Sequence, residues 1–305
     1  SIGDGAFMYC SGFSGQLILP ESLTDIGKYA FFGCNFDGSL KIPAKIKIIQ
    51  SFSFTECRFG GQLILPNGVE IIESYAFASC DFKGELILPN SIIKIGSNAF
   101  SENCFSGRLV FPSDLKVLSE RAFAGNTRIS GTIVLPYNIS YVPESLFERC
   151  KNIEGVILHK FIDAIGINAF SDCFYINSIV CESTNPPEIG TGAFDGVPKD
   201  NFTVQVPQSA ISSYQTAPGW NDFLRFSAYK DFSISRNHIS TLNNSYEKEL
   251  IVRAPSDEAW EVTSKPDWVT VNMMEGTGKQ TLSVTINELP QGSPDRNGEI
   301  VIALN

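Results

Sequence analysis

The 305-residue sequence has little basic charge, few histidines and no long apolar run. Lys and Arg number 23 against 33 for Asp and Glu, which gives a net charge of −10. A protein that neutralises a phosphate backbone needs a basic excess, so we expect no nucleic acid partner. No apolar run approaches the roughly 20 residues that span a bilayer. The N-terminus lacks the basic and apolar regions of a signal peptide, so we expect any export signal or anchor to be absent from this chain.

A phenylalanine and a proline each recur every 23 or 24 residues, and apolar residues lie three and six positions after each proline. A unit this short cannot bury its own apolar face, so neighbouring units must stack into a solenoid. The main phenylalanine column is Phe7, Phe31, Phe54, Phe77, Phe100, Phe123, Phe147, Phe170 and Phe194. The proline column is Pro20, Pro43, Pro66, Pro89, Pro112 and Pro136, with His159 in the next position.

Each repeat predicts one short strand and one helical turn. Apolar residues alternate before the proline, as in QLILP at 16–20, which is typical of a strand with one side in a core. The proline ends the strand. The phenylalanine segment, such as SYAFASC at 74–80, is rich in Ala and Ser and predicts a single helical turn. A second phenylalanine column is also predicted to be core: Phe13, Phe36, Phe59, Phe82 and Phe105.

Seven of the eight cysteines lie three or four positions after the main phenylalanine, with Thr127 in the repeat that lacks one. These cysteines are Cys10, Cys34, Cys57, Cys80, Cys104, Cys150 and Cys173. No CxxC-like pairing occurs, so we expect no zinc site. Neighbouring rungs about 4.8 Å apart would allow disulfides. One small residue at a fixed position per turn is typical of a packing column, so we expect free, buried thiols.

The runs LPNGVEIIESYAFASC at 65–80 and LPNSIIKIGSNAF at 88–100 resemble the BspA-like leucine-rich repeats of bacterial cell-surface proteins. The resemblance implies a leucine-rich-repeat solenoid on a secreted or cell-surface protein, with adhesion to host matrix proteins or other cells as a role suggested for some members. We expect this solenoid to occupy residues 1–228. Tyr214, Trp220 and Phe223 would cap its open end, because repeat arrays need such a cover.

From about residue 229 the pattern changes to short alternating runs with turns between them, which predicts an all-β immunoglobulin-like sandwich. The stretch at 260–288, together with Arg296, resembles the BACON module of Bacteroidetes surface proteins and glycosidases. We expect residues 229–305 to form this domain incompletely, because the chain stops where such domains add a last strand. The resemblance implies glycan or mucin attachment, or a passive spacer.

Two tryptophans of this second region are candidates for stacking on sugar rings. Trp260 alternates with Val262, which favours a place in the sandwich core. For Trp268 the sequence allows both a core position and a glycan-binding position.

The sequence shows no catalytic constellation. Its two histidines, His159 and His238, fall in different regions and are expected to be structural, so no triad is predicted. GTGKQT at 276–281 has Met273 rather than the upstream glycine that a phosphate loop needs. We therefore expect a non-enzymatic protein without cofactor or metal.

On each strand, the residues two and four before the proline are predicted to point away from the core. Side by side they would form an exposed face about 30 Å long with one apolar stripe. Such a stripe often marks a contact surface, although β-branched residues also stack laterally and favour strands. The candidate binding residues are Gln16, Ile18, Lys41, Gln62, Ile64, Glu85, Ile87, Arg108, Val110 and Val134.

The sequence therefore predicts cell-surface adhesion or protein binding through this face. The expected partner is a host or neighbouring-cell surface protein, or a second copy of the chain. The alternatives are binding of a mucin-type glycan through Trp268 of the BACON-like region, and a structural spacer.

Overall fold

The computed structural model describes residues 1–229, 233–234, 246–253, 259–277, 280–287 and 300–304. His238 and Arg296 lie outside these residues. The chain divides into two compact units, Ser1–Tyr229 and Lys230–Asn305. In the part of the chain that is described, no helix is long and apolar enough to cross a membrane.

The first unit is a β-solenoid in which each coil contributes a strand before the proline position and a two-residue strand after it. The strands are β1 (Gly38–Lys41), β2 (Ile48–Ile49), β3 (Gly60–Ile64), β4 (Ile71–Ile72), β5 (Lys83–Gly84), β6 (Lys94–Ile95), β7 (Cys104–Arg108), β8 (Val117–Leu118), β9 (Arg128–Val134), β10 (Tyr141–Val142), β11 (Ile153–Leu158), β12 (Ala164–Ile165), β13 (Ser178–Cys181), β14 (Glu188–Ile189), β15 (Val204–Val206) and β16 (Phe226–Ala228).

These strands form two sets of parallel ladders. The strands before the proline position pair as β1-β3 and as β5-β7-β9-β11-β13-β15-β16. The short strands pair as β2-β4-β6-β8 and β10-β12-β14. The register follows the repeat, since Val134 pairs with Ile157 and Ile157 with Val180. Equivalent residues of successive coils therefore lie side by side on the surface.

Stacked phenylalanine rings form the core, as the two columns predict. The rings of Phe77 and Phe100 stack with centroids 5.7 Å apart and planes 13° apart. In the second column, Phe59 and Phe82 stack at 4.9 Å. Phe13 departs from the prediction because 41% of it is exposed. Its ring contacts Phe36 of the following coil at 5.6 Å and Phe7 of its own coil at 5.8 Å, and the rest of its surface is open to solvent.

The segment around each main phenylalanine is a series of tight turns, and the predicted helical turn is not formed there. The N–H groups of Phe77 and Ser79 donate to main-chain carbonyls of the next coil at 2.9 Å, while the Ala78 N–H donates to the Tyr75 carbonyl three residues back. Tyr75 and Ser79 have positive φ angles of 61° and 54°. These positive φ angles within five residues are incompatible with a helix, because an α-helix needs a negative φ at every residue.

Successive coils place one thiol or amide side chain each in the core, and in two coils this residue differs from the predicted cysteine column. Cys57 and Cys80 donate their thiols to phenylalanine carbonyls of the preceding coil at 3.0 and 2.8 Å. In the next two coils this position belongs to Asn103 and Asn126, whose side-chain amides donate to the equivalent carbonyls at 2.8 Å. The assignment of Cys104 and Thr127 to these rungs was therefore wrong: Cys104 is half-buried in β7 and Thr127 is exposed.

The solenoid ends in a short helix, α1 (Ile211–Thr216), and two 3-10 turns, Gln208–Ala210 and Trp220–Asp222. Trp220 is fully buried, and its indole N–H donates to the Pro187 carbonyl at 2.8 Å. The Phe223 ring packs edge-on against Phe194 of the last coil at 5.5 Å. These aromatic residues cover the apolar end of the stack, as a capping segment must.

The second unit is all-β, with strands β17 (Ser233–Ile234), β18 (Tyr246–Arg253), β19 (Ala259–Ser264), β20 (Val269–Val271), β21 (Glu275–Thr277), β22 (Gln280–Ile286) and β23 (Val301–Leu304). They form antiparallel sheets in the orders β17-β18-β22-β20 and β21-β19-β23. Trp260 is fully buried with Val262, Leu282 and Val284, which confirms its predicted place in the core.

Candidate binding surfaces

The strand face, defined here as the ten candidate residues two and four positions before the proline, lies on the outside of the solenoid. Its residues come from six successive coils, which at about 4.8 Å each make it about 30 Å long. In its apolar column, Ile18 is 80% exposed, Ile64 45%, Ile87 56% and Val110 44%, and Val134 is half-buried. The stripe is thus most open over the first five coils. All ten side chains share this face, because the parallel register repeats coil after coil.

Lys41 interrupts the apolar stripe, but an ion pair holds its ammonium group at the edge of the stripe. The Lys41 ammonium pairs with the Glu21 carboxylate at 2.6 Å, and this contact keeps the pKa of Glu21 below its ordinary value. Glu21 lies just after Pro20, at the turn beyond the strand. The aliphatic part of Lys41 can therefore contribute to the stripe while its head group lies at the rim.

The polar column of the strand face is exposed at Gln16, Gln62, Glu85 and Arg108. The Gln16 side chain donates to the Ser39 carbonyl at 3.4 Å, and the Ser39 hydroxyl accepts the Gln62 main-chain N–H at 3.0 Å. Charged and amide groups thus lie along one side of an apolar stripe. This is the arrangement of an apolar contact region with a polar rim.

Trp268, the glycan-binding candidate, is partly buried and packs against the core of the second unit. Its carbonyl accepts the Asn287 N–H at 3.0 Å. The ring is therefore neither fully buried nor an open platform.

His159 is buried in the turn after β11 and is locked as a neutral ring. Its Nδ1 accepts the Phe161 main-chain N–H at 3.2 Å, so Nε2 carries the proton and donates to the Pro136 carbonyl at 3.0 Å. Burial lowers the pKa of His159 below its ordinary value. Both nitrogens are engaged by the main chain, so the ring serves the turn and has no lone pair left for proton transfer.

The buried cysteines are poor nucleophiles. All eight cysteines of the chain are free, and six of them are buried. Burial raises the pKa of Cys57 and Cys173 to about 12 and that of Cys181 to about 11. A thiol with such a pKa is protonated at neutral pH and reacts slowly. Among the described residues, no group of His, Cys, Asp or Glu side chains is arranged to hold a metal ion.

One surface feature was missed by the sequence reasoning. Tyr137 and Phe161 are 45% and 53% exposed and flank the buried His159 ring, with Lys160 beside them. We call these four residues the aromatic corner. The signal was present in the sequence, because the equivalent positions of other coils hold polar or small residues, such as Asn90 and Ser113.

Comparison with known families agrees with this architecture. A model described as the BspA-type leucine-rich repeat region matches residues 1–130 and 102–216, with six copies of the repeat. The chain belongs to the BspA-type leucine-rich repeat family. Residues 258–304 match the BACON family, whose description reads "Putative binding domain, N-terminal". These families mark the chain as a binding and surface-type protein, and they are non-catalytic.

Solved structures give more distant likenesses to this BspA-type chain. A leucine-rich repeat protein from Bacteroides ovatus is 18% identical, with a TM-score of 0.32, over 75% of this chain and 88% of that chain. A leucine rich cell surface protein from Faecalibacterium prausnitzii is 16% identical, with a TM-score of 0.31, over 73% and 85%. A search of curated proteins gave no match.

Proposed function

We propose that the BspA-type solenoid, residues 1–228, binds a protein on a host or neighbouring cell through the strand face, and that the chain acts in adhesion at the cell surface or after secretion. The observation that carries this proposal is the open apolar stripe at Ile18, Ile64, Ile87 and Val110. From Ile64 to Val110 these residues follow one another in three successive coils, and such an exposed apolar row is uncommon on a protein without a partner.

The shape and chemistry of the face support a protein partner. A stable protein interface buries about 800 Å² on each side, so a partner must cover the stripe and its flanking column together. Gln62, Glu85 and Arg108 would then supply rim contacts that set orientation and specificity. A second copy of the chain is the competing occupant, and sedimentation velocity distinguishes it by showing a concentration-dependent dimer.

The test compares the full chain with Ile64→Lys/Ile87→Lys on an array of extracellular-matrix proteins and mucin-type glycans. We expect the variant to lose the protein signals, because two desolvated lysines oppose burial of the stripe. Ile48→Lys/Val117→Lys is the matched control, since both residues are exposed on the other ladder of the same solenoid. Protein binding that survives in the face variant, or is lost equally in the control, would contradict the proposal.

A second candidate function is glycan binding by the BACON-like region, residues 229–305. The partial exposure of Trp268 favours it. The same array tests it, because Trp268→Ala should remove the signals of uncharged glycans and leave the protein signals intact. If the unmodified chain binds no protein and no glycan on the array, a spacer role is favoured.

A further inference from the structure

We propose that the aromatic corner is a second binding site, specific for a saccharide that carries a carboxylate. C–H groups of the sugar would contact the rings of Tyr137 and Phe161, and its carboxylate would pair with the Lys160 ammonium. This site is distinct from the strand face and from Trp268.

The rings of the corner are held in place by the turn beneath them. The Tyr137 ring stacks on His159 with centroids 4.6 Å apart, and the Phe161 ring meets Tyr137 edge-on at 6.2 Å. His159 is fixed in turn by its two main-chain hydrogen bonds. A rigid pair of exposed rings binds with little loss of side-chain entropy.

The size of the aromatic area favours a small ligand over a protein. The neighbouring turns carry Ser113, Asp114, Ser183 and Thr184, so the exposed rings are confined to two coils about 4.8 Å apart. A protein interface engages about 20–30 residues on each side, far more than this corner offers. One or two sugar units match its dimensions. The C–H hydrogens on one face of a pyranose are attracted to the negative face of an aromatic ring.

The charge of the corner favours an acidic sugar. The Lys160 ammonium lies 5.2 Å from the Phe161 ring centroid and makes no ion pair with any residue that the structure describes. The side chain is exposed, so it can move from the ring to a carboxylate without rebuilding the turn. In a chain of net charge −10, such a cation beside two open rings provides local selectivity for an anion.

The test titrates the full chain with hyaluronan tetrasaccharide, which carries uronate groups, and with uncharged chitotetraose, using isothermal calorimetry. We expect saturable binding of the uronate sugar alone. Phe161→Ser should weaken it about tenfold or more, and Lys160→Gln should bring its affinity down to that of chitotetraose. Tyr175→Ser is the matched control, because it removes an exposed ring elsewhere on the solenoid, and thermal unfolding verifies that each variant is folded.

Several outcomes would overturn this proposal. They are equal affinity for both sugars, no binding of either, and unchanged binding in Phe161→Ser. Binding of a tetraglutamate peptide in place of the sugar would assign the corner to an acidic protein partner instead. Ile64→Lys/Ile87→Lys and Trp268→Ala should bind the uronate sugar normally, so this site can fail or succeed independently of the proposed adhesive face.

Discussion

Asn103 donates its side-chain amide to the main-chain carbonyl of Phe77 in the preceding coil at 2.8 Å, the contact that cysteine thiols make in neighbouring coils. The Asn103 side-chain oxygen also accepts the N–H groups of Cys80 and Phe82 at 3.3 and 3.1 Å. Asn126 occupies the next rung, but its side-chain oxygen has no hydrogen-bond partner among the described residues. The two asparagines therefore satisfy different numbers of main-chain groups.

This difference predicts unequal costs for placing a cysteine at each rung. Asn103→Cys leaves two buried N–H groups without an acceptor and should lower the free energy of unfolding by about 2–4 kcal/mol. Asn126→Cys removes an unsatisfied oxygen and should cost less than about 1 kcal/mol. Urea denaturation followed by circular dichroism measures both changes. Equal losses would show that the side-chain oxygen of Asn103 contributes nothing.

The burial of the thiols predicts which cysteines react. Cys10 and Cys104 are half-buried, so we expect them to react with an aromatic disulfide reagent within minutes at pH 8. The six buried thiols should react only after unfolding, because burial raises their pKa and excludes the reagent. Absorbance counts two fast groups and six slow ones, and mass spectrometry locates them. Fast labelling of Cys57 or Cys173 would be inconsistent with the stacked core.

His159 predicts an acid-sensitive turn. Its pKa in the folded chain is below the ordinary 6.5, so the folded state binds fewer protons than the unfolded state and stability falls as the pH drops below 6.5. Protonated Nδ1 would face the Phe161 N–H, and two donors repel each other. His159→Pro restores the residue of the six preceding coils and should lose less stability between pH 7 and 5. Thermal unfolding at several pH values checks this, and parallel losses in both chains would refute it.

The stacked rings predict a large cost for truncation inside the solenoid. Phe100 is fully buried between Phe77 and Phe123, with centroids 5.7 and 5.5 Å away. Phe100→Ala should lower the free energy of unfolding by about 3–5 kcal/mol. Phe174→Ala, at an exposed ring, should change it by about 0.5 kcal/mol or less. A small loss for Phe100→Ala, measured by urea denaturation, would mean that neighbouring rings close the cavity.

Residue spacing alone was sufficient to predict the repeat and most of its core. Phe54, Phe77 and Phe100 recur at 23 residues, and a period of that length permits only stacked coils with equivalent residues in columns. The outward position of Ile64 and Ile87 followed from strand alternation in the same way. The aromatic corner was missed because exposure of Tyr137 and Phe161 depends on how the turn at His159 packs.

The sequence by itself determined the coil, its columns and its outward face, because these depend on a fixed period and on alternation along a strand. Only the tertiary structure decided which of two adjacent residues enters the core at the turn. Asn103 and Asn126 do so, and not Cys104 and Thr127, because each rung follows directly on a residue of positive φ, here Glu102 at 53° and Gly125 at 78°. The positive φ angles at these residues are fixed by main-chain hydrogen bonds to neighbouring coils. The sequence of a single repeat carries no information about those bonds.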